Sequence, residues 1–267
     1  MIKNNPILSE KSIKTDLSGL VLKELDSIFI EGSTESTNDN AKNHLKNQTG
    51  LFSIHLAEQQ TSGRGRNTKK WVSPRGKNIY LSLGWKSSLT HSQLEGLSLA
   101  VATCLIAALK RFSSKELKIK WPNDLFINKK KISGILIETS DSTEGLDVVI
   151  GIGINVHMDE SEGAGIDQSW GNLEELPSKK LNRNEIIVSI ISEMYELFKE
   201  YPKSGFKNYL QVFESHNLLK DKLCKVNVNK ETLEGKVLGV NETGELLFEK
   251  NGEIQRLRYG EVSIREL

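Results

Sequence analysis

Hydrophobic positions along the chain recur with two periods, and each period predicts its own elements. A period of two marks Asn78 to Trp85, where Ile79, Leu81, Leu83 and Trp85 share one face of a strand. Leu51 to Glu58 alternates more weakly, and Ser27 to Ile30 reads as a short strand. Asp147 to Val156 is a continuous apolar, β-branched run, the pattern of a buried strand. A period near 3.6 marks Leu94 to Phe112, with Leu94, Leu97, Val101, Leu105, Ala108 and Phe112 on one face of an amphipathic helix. Ile187, Ile190, Ile191, Met194 and Phe198 mark another helix, capped by Asn182 or Asn184, and Phe206, Leu210 and Phe213 suggest one more. The polar run GSTESTNDNAKNHL supplies an N-cap for a helix whose inward positions are Ala41 and Leu45. Lys118 to Lys120 leads into Trp121-Pro122, where proline favours extended backbone at Trp121. Leu125 to Ile127 and Ile132 to Ile137 flank Asn128-Lys129-Lys130-Lys131 as a hairpin. Met1 to Lys23 is weakly periodic; Ile7, Ile13, Leu17 and Leu20 to Leu22 suit a short docking segment or helix.

From about Leu218 the texture changes. LCKVNV, TLEGKVLGV, ELLFEK and EIQRLR are short strands, separated by Asn241-Glu242-Thr243-Gly244 and by the tight-turn signal Asn251-Gly252. Such a run makes a small β-barrel or sandwich. The expected division is an N-terminal segment 1–26, a large domain 27–217 and a small β domain 218–267.

Composition narrows the classes. The 36 basic and 35 acidic residues nearly cancel, so nucleic acid is not expected as the main partner. Cys104 and Cys224 lie far apart without metal or disulfide spacing, and Cys104 sits in an apolar run as a core residue. No apolar segment is expected to span a bilayer, and the polar N-terminus lacks a signal-peptide core, which makes the cytoplasm the expected compartment.

Chemistry concentrates in a few stretches. Gln60 to Trp71, QTSGRGRNTKKW, sets Arg64 and Arg66 between Gly63 and Gly65, with Lys69 and Lys70 beside them. Glycine frees the backbone, and arginine's fork of donors suits phosphate and carboxylate oxygens. The loop is either a lid over an anion or a solvated basic tip. In Lys120-Trp121-Pro122-Asn123-Asp124, Asp124 can hold a hard cation such as magnesium, Asn123 can donate and accept beside it, and Lys120 can reach a phosphate. The same residues also make a plain turn. Alternation would put Lys129 and Lys131 on one face, one of them pointing into a site, with Gly134 marking a close approach. Gly151-Ile152-Gly153-Ile154-Asn155 lacks the third glycine of a dinucleotide fingerprint; its small residues and terminal amide could receive an adenine or ribose, or serve sheet packing alone. The chain has no GxxxxGK[ST], HExxH or GxSxG motif, and its five histidines have no ligand spacing.

In order and spacing, Ser36-Thr37-Asn38, Gln60, GRGR through Trp71, KWPND, Lys131 with GILIE, and GIGIN resemble the biotin protein ligases, from about residue 27 to the end. The resemblance implies an α+β fold: a class II synthetase-like mixed β-sheet flanked by helices, then a small C-terminal SH3-like β-barrel. It implies that biotin and MgATP give biotinyl-5′-AMP, and that a lysine of a biotin carboxyl carrier protein, an acetyl-CoA carboxylase subunit, then takes the biotin. It assigns Ser36, Thr37, Asn38, Gln60, Arg64, Gly65, Arg66, Lys131 and Gly134 to biotin. It assigns Arg64, Arg66, Trp71, Lys120, Asn123, Asp124 and Asn155 to ATP, with Trp170 on the adenine side, and Asp124 to magnesium. Lys131, Arg66 and Asp124 are the expected catalytic residues. Where the family's loop continues Arg-Gly-Arg, this chain has Asn67-Thr68-Lys69, which predicts looser retention of the adenylate. Sequence before Ser27 is too short for the helix-turn-helix domain of some members, so neither operator binding nor membrane binding is expected; monomer and homodimer both remain open. A lipoate or octanoyl ligase or transferase, a non-catalytic biotin-binding module and a generic polyanion-binding domain are the competing readings.

Overall fold

The alternating runs become the strands of one mixed sheet. The computed structural model describes residues 7–174, 181–228, 231–258 and 263–266; Met1–Pro6, read above as lacking a signal-peptide core, lies outside them. The strands are β1 (Leu25–Glu31), β2 (Phe52–Ala57), β3 (Ile79–Ser87), β4 (Lys118–Lys120), β5 (Asp124–Ile127), β6 (Lys130–Ser142) and β7 (Gly145–Ile154). Among the described residues they form a seven-stranded sheet in the order β1-β2-β3-β7-β6-β5-β4. Only β1 and β2 pair in parallel; the other neighbours are antiparallel.

Both faces of the central strands are covered, which is why the alternation of β2 reads weakly: all six of its residues are buried. Ile79, Leu81, Leu83 and Trp85 do share one face, and it is the core face. There they join Ile150, Ile152 and Ile154 beneath α4 (Leu97–Leu109) and α5 (Arg183–Ser204). On the opposite face lies α3 (Thr37–Leu45), with Ala41 and Leu45 buried against Val149.

The helix expected over Leu94 to Phe112 is shorter and less amphipathic than its pattern suggests. A 3₁₀ turn at His91–Leu94 ends at Gly96, held at φ 81° in the left-handed region, and α4 begins at Leu97. Twelve of its thirteen residues are buried, because it is sandwiched between the sheet and α5. The stretch His91–Phe112 is 22 residues long, and an 18-residue window within it reaches a mean hydropathy of 1.5. This corrects the expectation that no segment is long and apolar enough to cross a membrane. With 78% of that window buried inside the fold, the stretch holds the core helix α4 of a packed domain.

The N-terminal segment docks onto this body as α1 (Glu10–Asp16) and α2 (Gly19–Glu24), burying Leu8, Ile13, Leu17 and Val21 and leaving Ile7, Leu20 and Leu22 exposed. The Leu8 amide donates to Glu58 Oε1 at 2.8 Å, and Glu58 Oε2 pairs at 2.8 Å with Arg183, whose side chain is 1% exposed.

After α6 (Leu210–His216) come β8 (Leu223–Val228), β9 (Glu231–Val240), β10 (Leu246–Lys250), β11 (Glu253–Leu257) and β12 (Ser263–Glu266). They form an antiparallel sheet in the order β11-β10-β9-β8-β12. Asn251 and Gly252 turn β10 into β11 with φ of 53° and 82°, as the Asn-Gly signal requires. Backbone and side-chain bonds tie the second sheet to the first. The Leu218 amide donates to Ile119 O at 2.8 Å along the free side of β4, and Trp121 Nε1 donates to Gly244 O at 3.0 Å.

Asp26 staples the start of β1 to the loop ahead of β2. Its Oδ1 accepts from the Thr49 and Gly50 amides at 2.9 Å each, and its Oδ2 lies 2.8 Å from His44 Nε2. Burial pushes this carboxyl up, but the bonds from Gly50, His44 and Thr49 outweigh it and hold the group well below its ordinary 3.8. A depressed carboxyl stabilises the fold above its unfolded pKa and loses that contribution as the pH falls toward its folded value. Asp26→Asn is therefore expected to lower the denaturant midpoint clearly at pH 7, with the gap to wild type shrinking below about pH 4. A gap that stays constant down to pH 2 would contradict the staple.

Candidate active site

The site is built on a strip of sheet without side chains. Gly151 and Gly153 lie on one face of β7, Gly134 pairs directly with Gly153, and Asp124 pairs with Gly134. A methyl at Gly151 would overlap the Asn38 amide, and one at Gly153 would overlap the Trp71 indole. The sequence left the room at GIGIN open between a nucleotide and sheet packing. In the structure the protein's own side chains, from α3 and from the basic loop, take it.

At one end of the strip α3 presents its first turn. Ser36 is the N-cap residue without a capping side-chain bond. The Thr37 amide and hydroxyl donate to Gln60 Oε1 at 3.0 and 3.1 Å, and Gln60 Nε2 donates to Ser73 Oγ at 3.2 Å. Ser82 Oγ on β3 lies 2.7 Å from Thr37 Oγ1 and 2.6 Å from Asn38 Oδ1. Asn38 Nδ2 donates to Glu138 Oε2 at 2.6 Å. Thr37, Asn38 and Gln60 thus join one largely buried polar network, with the buried Ser36 beside it at the start of α3. Ser73, Ser82 and Glu138 complete it and were missed. The alternation of β3 alone puts Ser82 opposite the apolar face, which was the available signal.

At the other end Lys131 Nζ pairs with Asp124 Oδ1 at 2.8 Å and sits 5.5 Å over the Trp71 ring. Strict alternation would send residues 131 and 134 to opposite faces. Leu125 pairs with Ser133 but Phe126 with Lys131, so Ile132 is an extra residue, a β-bulge. The bulge turns Lys131 onto Gly134's face, where its Nζ would lie 3.4 Å from a methyl on Gly134. Lys129, expected to share a face with Lys131, instead sits in the hairpin turn at φ 62° after Asn128 at 49°. The backbone of Lys131 also pairs with the segment around Trp170: its amide donates to Ser169 O at 3.0 Å and its carbonyl accepts from Gly171 at 2.9 Å. Asn155 Nδ2 donates to Gly171 O at 3.2 Å, which joins the end of GIGIN to the same segment. Lys120 is the cross-strand partner of Asp124; its ammonium lies 5.6 Å over the Phe126 ring, within the electrostatic reach of Glu266 in the second sheet.

The basic loop closes the site from above. Gly63 cannot carry a side chain, since a methyl would lie 2.6 Å from Trp71 O and 2.7 Å from Ser73 Oγ. Arg64 bridges to Lys70, the Gly65 amide donates to Lys69 O at 2.6 Å, and the Lys69 amide donates to Arg66 O at 3.2 Å. The loop is thus a small hairpin whose turn residues, Asn67 and Thr68, have φ of 53° and 58°. Arg66 Nη1 donates to Asn123 Oδ1 at 3.3 Å, and Asn123 Nδ2 donates to Ile135 O at 2.6 Å. Arg64 points elsewhere. Its two terminal nitrogens meet both oxygens of Asp39 at 2.6 and 2.7 Å, and Glu138 Oε2 lies 3.6 Å away. The paired hydrogen bonds raise the Arg64 guanidinium further and hold Asp39 below the usual carboxylate range. Trp71 Nε1 is buried without a hydrogen-bond partner among the described residues, a donor open to a ligand acceptor. A cleft of about 510 Å³ opens beside Arg66, Asn67, Asn123, Ser98, Ile135 and Arg258.

This geometry coincides with a known family. Residues 31–155 match the model of the biotin/lipoate A/B protein ligase family. The chain is 30% identical over 196 residues to the biotin--[acetyl-CoA-carboxylase] ligase of Mycobacterium tuberculosis, covering 71% of this chain and 70% of that protein. The chain belongs to this family. It is also 32% identical over 211 residues to the bifunctional ligase/repressor BirA of Escherichia coli, which is 79% of this chain but 65% of the relative, so it spans just under two thirds of that protein's length. Among solved structures, the biotin protein ligase from Aquifex aeolicus in complex with biotin and ATP superposes with a TM-score of 0.75 at 26% identity, over 90% of this chain and 99% of that one.

Within this family member, the loop turn carries a local cost. Asparagine tolerates the left-handed region, whereas an L-residue such as threonine pays roughly 1–2 kcal/mol there. Thr68→Gly is expected to stabilise the turn by up to about 1 kcal/mol after the extra chain entropy of glycine is set against the relief. Hydrogen-exchange protection at the Gly65 and Lys69 amides reads this directly; a fall in protection would contradict it.

Proposed function

We propose that this chain is a biotin–protein ligase: it activates biotin with MgATP to biotinyl-5′-AMP and transfers biotin to a lysine of a biotin carboxyl carrier protein. The observation that carries the reading is the convergence of the Lys131–Asp124 pair and the Arg66–Asn123 bond on the glycine strip, beside the Thr37-Asn38-Gln60 network. The polar network suits the ureido ring of biotin, and the Trp71 indole over the glycine strip offers an apolar face to its fused rings. Gly65 and Gly134 let backbone and ligand approach each other.

In the first step a biotin carboxylate oxygen attacks the α-phosphorus of ATP, and the bond to pyrophosphate breaks. Both reactants are anionic, so Lys131 and Arg66 hold the carboxylate and the phosphate against their repulsion and stabilise the charge that develops. Mg²⁺ is commonly held by one or two carboxylates together with substrate phosphates, which fits a site whose carboxylate is Asp124; bound there, it would neutralise phosphate charge. Asn123 and Lys120 serve the phosphates, Asn155 the nucleotide, and Trp71 and Trp170 the adenine side. In the second step the amine of the carrier lysine attacks the biotinyl carbonyl, AMP leaves, and the amine's proton is released. The adenylate hydrolyses readily in water, so the basic hairpin must cover it until the carrier arrives.

The carrier is proposed to be an acetyl-CoA carboxylase subunit, the cytoplasm its compartment, and 27–217 the catalytic domain. The antiparallel sheet of 218–267 is proposed to belong to the SH3-like barrels.

Transfer of labelled biotin to a carrier domain tests the reading. Wild type is expected to label the carrier only with ATP present, with biotin and not lipoate as the competitor. Lys131→Ala and Arg66→Ala are each expected to lose about 10²–10³ in rate, the cost of a transition-state donor. Full activity in both variants would refute the site. Release of biotinyl-AMP is expected to be faster than from relatives whose loop reads Arg-Gly-Arg at 67–69, and equal release rates would refute that.

A further inference from the structure

The two arginines of the basic loop do not do the same work. Arg66 reaches Asn123 at the nucleotide end of the site, whereas Arg64 is turned back onto α3. Its guanidinium meets Asp39 through two parallel bonds of 2.6 and 2.7 Å, the planar fork-on-fork geometry that restricts both partners most. A second carboxylate, Glu138 on β6, lies 3.6 Å from the same guanidinium. Glu138 also accepts from Asn38 Nδ2 at 2.6 Å, and Asn38 and Asp39 are neighbours in the first turn of α3. The loop, the helix that presents Ser36-Thr37-Asn38, and the sheet strand that carries Lys131 therefore meet at one guanidinium.

We propose that Asp39 and Glu138 are positioning residues, an acidic latch that receives Arg64 and seats the basic hairpin over the pocket so that Arg66 and Trp71 face the intermediate. The proposal rests on the biotin-ligase reading for its functional readout but not for its mechanical one. Arg64 stands at the mouth of the hairpin, where it bridges to Lys70, while Arg66, Asn67, Thr68 and Lys69 form the tip. Holding the mouth fixes the plane in which the tip moves. Releasing it lets the whole segment from Gln60 to Trp71 lift. Glu138 adds a second function: by accepting from Asn38 Nδ2 it orients that amide so that its oxygen faces Ser82. Closing the latch and ordering the pocket floor are then one event.

Both members are partly solvent-exposed, the Arg64 side chain 38% and the Asp39 side chain 45%. The latch is accordingly modest and screened by salt. It suits a lid that must open once per turnover to admit a carrier lysine.

The first test needs no ligand. Trypsin is added to the folded chain, and cleavage after Lys69 and Lys70 is timed. Asp39→Asn is expected to be cut roughly two- to fivefold faster than wild type, the scale of a partly exposed ion pair. The double charge swap Asp39→Arg with Arg64→Asp is expected to restore the rate toward that of wild type. Glu138→Gln keeps an acceptor for Asn38 but removes the second charge, and is expected to give a smaller acceleration in the same direction. The second test measures release of preformed biotinyl-AMP against the rate of biotin-dependent pyrophosphate exchange. Asp39→Asn is expected to speed release by the same roughly two- to fivefold factor while leaving exchange nearly unchanged, a split that general destabilisation would not give. Raising salt from about 0.05 M to about 0.5 M is expected to speed release from wild type and to have little effect on Asp39→Asn. Cleavage of Asp39→Asn at the wild-type rate, or no restoration in the swap, overturns the latch. Absence of biotin-dependent exchange in wild type overturns the ligase reading instead, and the cleavage result still decides the latch.

Discussion

Everything at this site depends on a place where the sheet has no side chains. Gly134, Gly151 and Gly153 leave a bare surface in the middle of a sheet that is otherwise covered on both faces. A single methyl at Gly151 would strike Asn38, and one at Gly153 would strike Trp71. Because the sheet carries no side chains there, Asn38 of helix α3 and Trp71 at the end of the basic loop come down onto the backbone itself and meet over one strip. Packing density does the rest: interiors this close-packed do not absorb an extra methyl without displacing a neighbour.

The charges are arranged around that strip by backbone devices rather than by sequence proximity. Lys131 would face away from Gly134 on a regular strand, and the extra residue Ile132 brings it round to Asp124. Arg66 and Arg64, two residues apart, serve different partners because the hairpin holds the first over Asn123 and turns the second to Asp39. A cluster of cations is costly to assemble without partners. Here each of the three has an anionic or polar partner within the fold.

Much of this was legible in the sequence. The strand periodicity of β3, the apolar run of β7, the inward positions of α3 and α5, the hairpin at Asn128 and the short strands after Leu218 all correspond to elements in the structure. The structure also brings Thr37, Asn38 and Gln60 together, a grouping that only the resemblance suggests, since no periodicity links residues so far apart. What could not be read had two physical causes. Bulges break the period of two, so the direction of Lys131 and the place of Lys129 in a turn were beyond a pattern argument. Partners fixed by tertiary contact, such as Asp39 and Glu138 for Arg64, leave no local mark, since a charged residue on a helix start or strand reads the same whether paired or solvated. The apolar run His91–Phe112 was misjudged for a related reason: a helix buried on all sides looks like a membrane span by composition, and only its surroundings separate the two.

The bond from the Leu218 amide to Ile119 bears on how the molecule avoids its own kind. Strand β4 ends the first sheet, and an end strand offers a row of unpaired amides and carbonyls to any other strand that comes near. The chain itself lies along that row as it leaves for the second sheet, and Trp121 fastens the crossing to Gly244. The connection between the two sheets thus doubles as edge protection. A fragment cut at residue 217 would lose more than the second sheet: it would bare a sticky border on the strand next to Asp124, and clumping of chains would compete with folding for that segment.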